Sequence, residues 1–120
     1  MKKFLMGFFY AGRGVVETLK ERNMKVHVLI ALVVVALSIY FKISAGEWIA
    51  VVLSISIVFG AEAFNTAIET ISNVERDSLG APYKVSGKAR DIGAAAVLFV
   101  SIGAALVGGI IFIPKMLSLL

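Results

Sequence analysis

Glu62, Asn65, Thr66 and Glu69 are the residues of this chain best spaced to do chemistry together. Offsets of three, four and seven return to nearly the same side of an α-helix, so the four predict one polar stripe. The stretch before them, from Trp48 through Ala61, has no charged side chain, which sets the stripe in a hydrophobic helix. A carboxylate at the centre of a bilayer costs at least about 2.5–3.5 kcal/mol, so Glu62 and Glu69 demand compensation from water, a partner or a metal.

Seven residues separate the two carboxylates by about 10 Å along a helix axis, enough for each to serve a different reactant. The deeper Glu62 is placed to accept a proton from the hydroxyl of a lipid. Glu69, near the water boundary, is placed to meet a nucleotide-bound cation. The same stripe would suit the ion path of a small channel or transporter subunit, or the helix contacts of a non-catalytic assembly protein. Ala61, Ala63 and Ala67 allow close helix approach under all three readings and do not separate them.

Two further sets stand beside hydrophobic runs. Glu21, Asn23, Lys25 and His27 precede the first run; Mg²⁺ prefers oxygen ligands and commonly takes one or two carboxylates plus phosphate, which pairs Glu21 with Glu69. His27 is the only histidine and no cysteine assists it, so it reads as an interfacial hydrogen-bonding residue. Lys84, Lys88, Arg90 and Asp91 lead into Gly93-Ala94-Ala95-Ala96. The Arg90 guanidinium offers a planar fork to phosphate oxygens, and a helix starting nearby would add unpaired N–H groups. Basic residues there also satisfy the topology rule for membrane proteins with no catalytic role. No G-x-x-x-x-G-K-[ST] segment is present, and Gly12-Arg13-Gly14 lacks the rest of G-x-G-x-x-G. Phosphoryl transfer nonetheless needs only positioning, charge neutralisation and activation of the acceptor hydroxyl.

Elements must hold these residues at fixed depth. Apolar residues make up 59% of the 120, against about 45–50% in soluble domains, which makes lipid part of the solvent; the length fits one domain, residues 1–120. Phe4, Leu5, Phe8, Phe9, Gly12, Val16 and Leu19 share one face opposite Arg13, Glu17 and Lys20, which predicts an interfacial helix over 1–22 that is anchored rather than spanning. Its basic start resembles a signal peptide, but Arg13 ends the apolar run and no small-x-small cleavage site follows. Spans are predicted at 24–41, 48–71 and 90–114, with Trp48 as an interfacial anchor and 72–88 as a hydrophilic loop. The expected fold class is an all-α membrane protein with an N-terminal interfacial amphipathic helix and three transmembrane helices.

Lys and Arg gather before the first span and between the second and third, which predicts a cytoplasmic N-terminus and long loop. The net charge of +4 is spread beside hydrophobic runs, pointing to anionic lipid headgroups and not to nucleic acid. Absence of cysteine excludes disulfides, thiol nucleophiles and cysteine-ligated metals.

The segment Glu62-Ala63-Phe64-Asn65-Thr66-Ala67-Ile68-Glu69, followed by Lys88-Ala89-Arg90-Asp91-Ile92-Gly93-Ala94-Ala95-Ala96-Val97, resembles the prokaryotic diacylglycerol kinase family, which includes undecaprenol kinases. The E-x-x-N-[ST]-A-I-E and [KR]-D-x-x-[AS]-A-A-V patterns occur in the family's order, and its three-span layout covers almost the whole chain. Glu21-Arg22-Asn23 and His27 are similar to the E-x-N-x-x-x-H pattern of the undecaprenol kinase branch. The resemblance implies ATP- and Mg²⁺-dependent phosphorylation of a membrane lipid alcohol, diacylglycerol or undecaprenol, at the cytoplasmic face of the bacterial inner membrane. It implies that Glu62 is the proton acceptor, that Glu21 and Glu69 hold the divalent metal, and that Asn65, Glu69, Arg90 and Asp91 bind ATP. The family's ATP-binding loop falls near Tyr83 and Lys84, which makes them implied nucleotide contacts. A homotrimer with active sites shared between protomers is implied too. Two departures stand out: Asn73 replaces an Asp common among relatives, and the segment between Glu69 and Asp91 is longer than in the best-known type.

Overall fold

Every backbone N–H and C=O inside a bilayer must bond within its own element, and this chain meets that demand with helices alone. The computed structural model describes residues 1–120 as four helices: α1 (Lys2–Leu19), α2 (Arg22–Tyr40), α3 (Ala45–Leu79) and α4 (Ser86–Leu117). Three of them, α2, α3 and α4, are long and apolar enough to cross a membrane, and α1 is not. Only 13 of the 120 residues are buried, and large apolar side chains such as Leu29, Leu32, Ile57, Leu98 and Ile110 point outward. So much exposed hydrocarbon is tolerable in lipid or against other chains, not in water.

The helices follow one another by short turns. Glu21 adopts an extended conformation (φ −71°, ψ 137°) that separates α1 from α2. Between α2 and α3, Lys42 takes φ +49°, and Ser44 then opens α3 with a reciprocal cap: its hydroxyl accepts from the Glu47 N–H, while the Glu47 carboxylate accepts from the Ser44 N–H. Such a box satisfies two donors that a helix start leaves open, a contribution of about 1 kcal/mol.

α3 and α4 pack antiparallel as the main pair, with α2 laid against α3. The buried residues of α3 are Val51, Val58, Glu62, Asn65 and Ser72, a single stripe spaced in sevens, fours and threes. At one end, Ile43, Val51, Ile111 and Phe112 form an apolar cluster. Beside it Lys115 Nζ donates to Glu47 Oε2 at 2.7 Å, tying the last turn of α4 to the first turn of α3. Lipid tails are as apolar as these side chains, so close packing and this polar tie, more than a hydrophobic drive, set the α3–α4 register.

Four boundaries differ from expectation, the first being the start of α3, which opens at Ala45 rather than Trp48. α3 does not stop near residue 71 but runs to Leu79, so only residues 80–85 form the connecting turn. Nothing between Ser72 and Leu79 breaks a helix, and Ser72 is buried, so packing carries the helix beyond its last apolar stretch. Thirty-five residues span about 52 Å, well over a hydrocarbon layer of about 30 Å, and the extra turns emerge with Glu75, Arg76 and Asp77. Gly80 ends the helix in the left-handed conformation (φ 65°), where glycine alone is unstrained, and Ala81 N–H closes the end onto Glu75 C=O. α4 starts at Ser86 rather than near Arg90, and it continues past Pro114 to Leu117. α2 spans Arg22–Tyr40, close to the expected 24–41.

Candidate active site

The α3 stripe becomes polar as it approaches the end of the bundle that carries the 80–85 turn. Glu62 and Asn65 are buried there, and Asn65 Nδ2 donates to Glu69 Oε1 at 3.1 Å. Thr66, also predicted on the stripe, only has its backbone C=O used, by the Thr70 hydroxyl. Three buried side-chain oxygens lack any hydrogen-bond partner: Glu62 Oε2 and Asn65 Oδ1 here, and Ser101 Oγ farther along α4. An enclosed polar atom left unpaired costs about 1–3 kcal/mol, so this end of the bundle is organised around something other than its own stability.

α2 brings a residue that hydropathy alone assigns to the interface. His27 Nε2 lies 3.7 Å from Glu62 Oε2, and the imidazole is largely enclosed. Matching depth explains the meeting: α2 and α3 run in opposite directions, His27 lies six residues beyond Glu21, and Glu62 lies seven residues before Glu69. Those offsets can be counted along the chain, but they become a contact only once α2 is known to pack on α3. Glu21 and Glu69 stand near enough to Glu62 for charge to be felt between them, so the three carboxylates and His27 gather on one side of the bundle.

Glu21 caps α2 through its backbone only, leaving its carboxylate unspent. Glu69 takes one hydrogen bond from Asn65, leaving its second oxygen unbonded within the chain. No three acidic or histidine side chains converge into a metal cage. Glu21 and Glu69 each offer unspent carboxylate oxygen, the kind of donor Mg²⁺ takes singly or in pairs while phosphate and water fill its remaining positions.

On the emergent part of the bundle, Arg90 Nη1 donates to Asn73 Oδ1 at 3.2 Å, joining α4 to α3. Because Asn73 is an amide, it orients the guanidinium without neutralising it as a carboxylate would. Tyr83 donates its hydroxyl to Asp91 Oδ2, and this bond, with the Asp91 charge behind it, holds the Tyr83 proton above the ordinary tyrosine range. The Tyr83 ring lies against Gly87, where any Cβ would overlap it. Lys84 is exposed and makes no side-chain hydrogen bond.

One expectation fails here. Arg90 and Asp91 do not sit at a helix start with free N–H groups. Ser86, Lys88 and Ala89 N–H already bond the carbonyls of Pro82, Tyr83 and Val85, so no run of open helix-end donors stands in front of Arg90.

Gly93 carries no functional group to mark it in the sequence, although it shapes the site. A Cβ there would stand 2.7 Å from Asn65 Oδ1 and 3.3 Å from Ile68 Cδ1. Gly93→Ala is therefore expected to push the Asn65 amide off Glu69, at a cost of about 1–3 kcal/mol of stability. Gly103→Ala, on the same helix with nothing within 4 Å of its Cβ, serves as the control and should leave stability unchanged. Thermal unfolding in the same micelles checks both variants.

An apolar cavity of about 280 Å³ lies between α2, α3 and α4, lined by side chains including Val34, Val58, Phe59 and Phe112. His27 stands in its wall, so the cavity adjoins the Glu62 carboxylate.

Comparison with known proteins bears on this arrangement. The family model described as prokaryotic diacylglycerol kinase matches residues 9–112. Undecaprenol kinase of Bacillus subtilis strain 168 is 32% identical over 117 residues, covering 97% of this chain and 93% of that protein. Diacylglycerol kinase of Synechocystis sp. strain PCC 6803 is 30% identical over 118 residues, covering 97% of this chain and 66% of that protein.

Proposed function

Because this chain belongs to the prokaryotic diacylglycerol kinase family and is a lipid kinase, we propose that it transfers the terminal phosphoryl group of ATP, with Mg²⁺, to undecaprenol in preference to diacylglycerol. Membership of a lipid kinase family supports the catalytic reading of the polar stripe over the channel and assembly readings. The observation that carries the mechanism is a buried carboxylate, Glu62, standing between an apolar cavity and a polar end. The preference for undecaprenol draws support from the Glu21, Asn23 and His27 pattern and from the relative of that name, which matches over nearly its full length.

Glu62 takes the proton of the lipid hydroxyl as that oxygen bonds to the terminal phosphorus and the bond to ADP breaks. Glu21 and Glu69 would hold Mg²⁺, which when bound would supply charge neutralisation at the phosphates. Asn65 keeps Glu69 oriented, and Arg90, steadied by Asn73, offers its donors to phosphate oxygens. Tyr83, Lys84 and Asp91 contact the nucleotide from the turn and the start of α4.

The N-terminus and the 80–85 turn face the cytoplasm in this reading, since Arg22, Lys25, Arg76, Lys88 and Arg90 lie at the site's end and only Lys42 and Lys115 at the other. α1 lies in the headgroup layer of the bacterial inner membrane. Assembly as a homotrimer with shared sites would cover part of the apolar helix surface that one chain leaves bare.

The test is a competition in mixed micelles, with undecaprenol and diacylglycerol at equal mole fraction and γ-labelled ATP. Label is expected chiefly in undecaprenyl phosphate. Label chiefly in phosphatidic acid would reverse the substrate assignment, and no lipid label with either alcohol would overturn the proposal.

A further inference from the structure

Glu62 enters the mechanism with one of its two oxygens in an unusual position. Oε2 is fully enclosed and has no hydrogen-bond partner, whereas Oε1 is not among the enclosed unpaired atoms. The His27 and Glu62 side chains are only 19% and 3% exposed, and their nearest atoms are 3.7 Å apart. Other donors near Glu62 are committed or misplaced: Asn65 Nδ2 is engaged by Glu69, and α4 presents Gly93 to this part of the stripe. His27 Nε2, 3.7 Å away, is thus the donor best placed to satisfy Oε2.

We propose that His27 is a positioning residue for Glu62: its Nε2–H takes hold of Oε2, turning Oε1 toward the lipid hydroxyl that arrives from the apolar side. The distance must close from 3.7 Å to about 2.7–2.9 Å, the length of a charge-assisted N–H···O bond, and catalytic hydrogen bonds commonly tighten in this way once substrate binds. A carboxylate held by one oxygen keeps a single orientation; an unheld one can swing toward the metal side, where Glu21 and Glu69 already compete. Misplacement by an ångström costs a reaction about 10²-fold. The inference rests on Glu62 being the proton acceptor, and adds to it what aims that acceptor.

His27→Leu in the full chain, assayed in mixed micelles with saturating undecaprenol and ATP·Mg²⁺, is expected to lower kcat by about 10- to 100-fold with the KM for ATP·Mg²⁺ held within about twofold. His27→Gln, whose amide nitrogen can donate where Nε2 does, is expected to recover most of that loss. Since His27 acts through Glu62, His27→Leu in a Glu62→Gln background should cost nothing further, a non-additivity that a merely structural role would not give. A readout independent of turnover is the imidazole ¹⁵N spectrum of this sole histidine, in which the Nε2 resonance is expected to shift on Glu62→Gln; this measurement stands even where His27→Leu does not fold. Wild-type kcat in His27→Leu, equal losses in both backgrounds, failure of His27→Gln to rescue, or an unmoved Nε2 resonance would each overturn the inference. An inactive Glu62→Gln beside a fully active His27→Leu removes only the role of His27, whereas a fully active Glu62→Gln removes the proton acceptor itself.

Discussion

Glu62→Gln is expected to lower kcat by about 10²- to 10⁴-fold, the range that a positioned general base contributes. Glutamine has the shape of glutamate and keeps a carbonyl oxygen for His27, but it cannot carry away the proton of an alcohol. The loss therefore falls on the chemical step, and the KM for ATP·Mg²⁺ is expected to stay nearly constant. Folding has no reason to suffer: glutamine fills the same buried space and brings no charge to desolvate. Label transfer from ATP to lipid, with circular dichroism and thermal unfolding on the same preparation, checks all three expectations. Wild-type turnover in a folded Glu62→Gln protein would remove it from the mechanism.

Glu69→Gln is expected to act on a different reactant. Its amide oxygen can still accept from Asn65 Nδ2, so the 3.1 Å contact survives and only the negative charge is lost. We expect the Mg²⁺ concentration for half-maximal rate to rise more than about tenfold, because Mg²⁺ bound by one or two carboxylates loses much of its protein affinity with either of them. The apparent affinity for lipid is expected to be unchanged. Glu21→Gln should give the same displacement of the Mg²⁺ curve, since its carboxylate is free of capping duty. Metal titrations at fixed ATP and lipid measure the displacement, and an unmoved curve in both variants would place the metal elsewhere.

The different depths of these two carboxylates are legible in the amino-acid sequence. Their offset of seven puts them on one helix face, and the uncharged run from Trp48 sets one deeper than the other. The helical content and the three apolar segments are equally plain, because each follows from residues close in sequence. The end of α3 is less so. Polar residues after Ile71 resemble a loop when only hydropathy is weighed, yet the buried stripe reaches Ser72 and the helix needs no apolar residue to continue to Gly80.

Which residues share a face and a depth is thus written along the chain, since helical period and hydrophobic run length are local properties. Who stands opposite whom is settled only when the helices pack. His27 against Glu62, Gly93 against Asn65 and Arg90 against Asn73 are contacts between helices far apart in the chain. Such pairings depend on the register in which α2, α3 and α4 come together. In hydrocarbon that register is chosen by steric fit and a few polar ties such as Lys115 with Glu47, neither of which leaves a periodic mark along the chain.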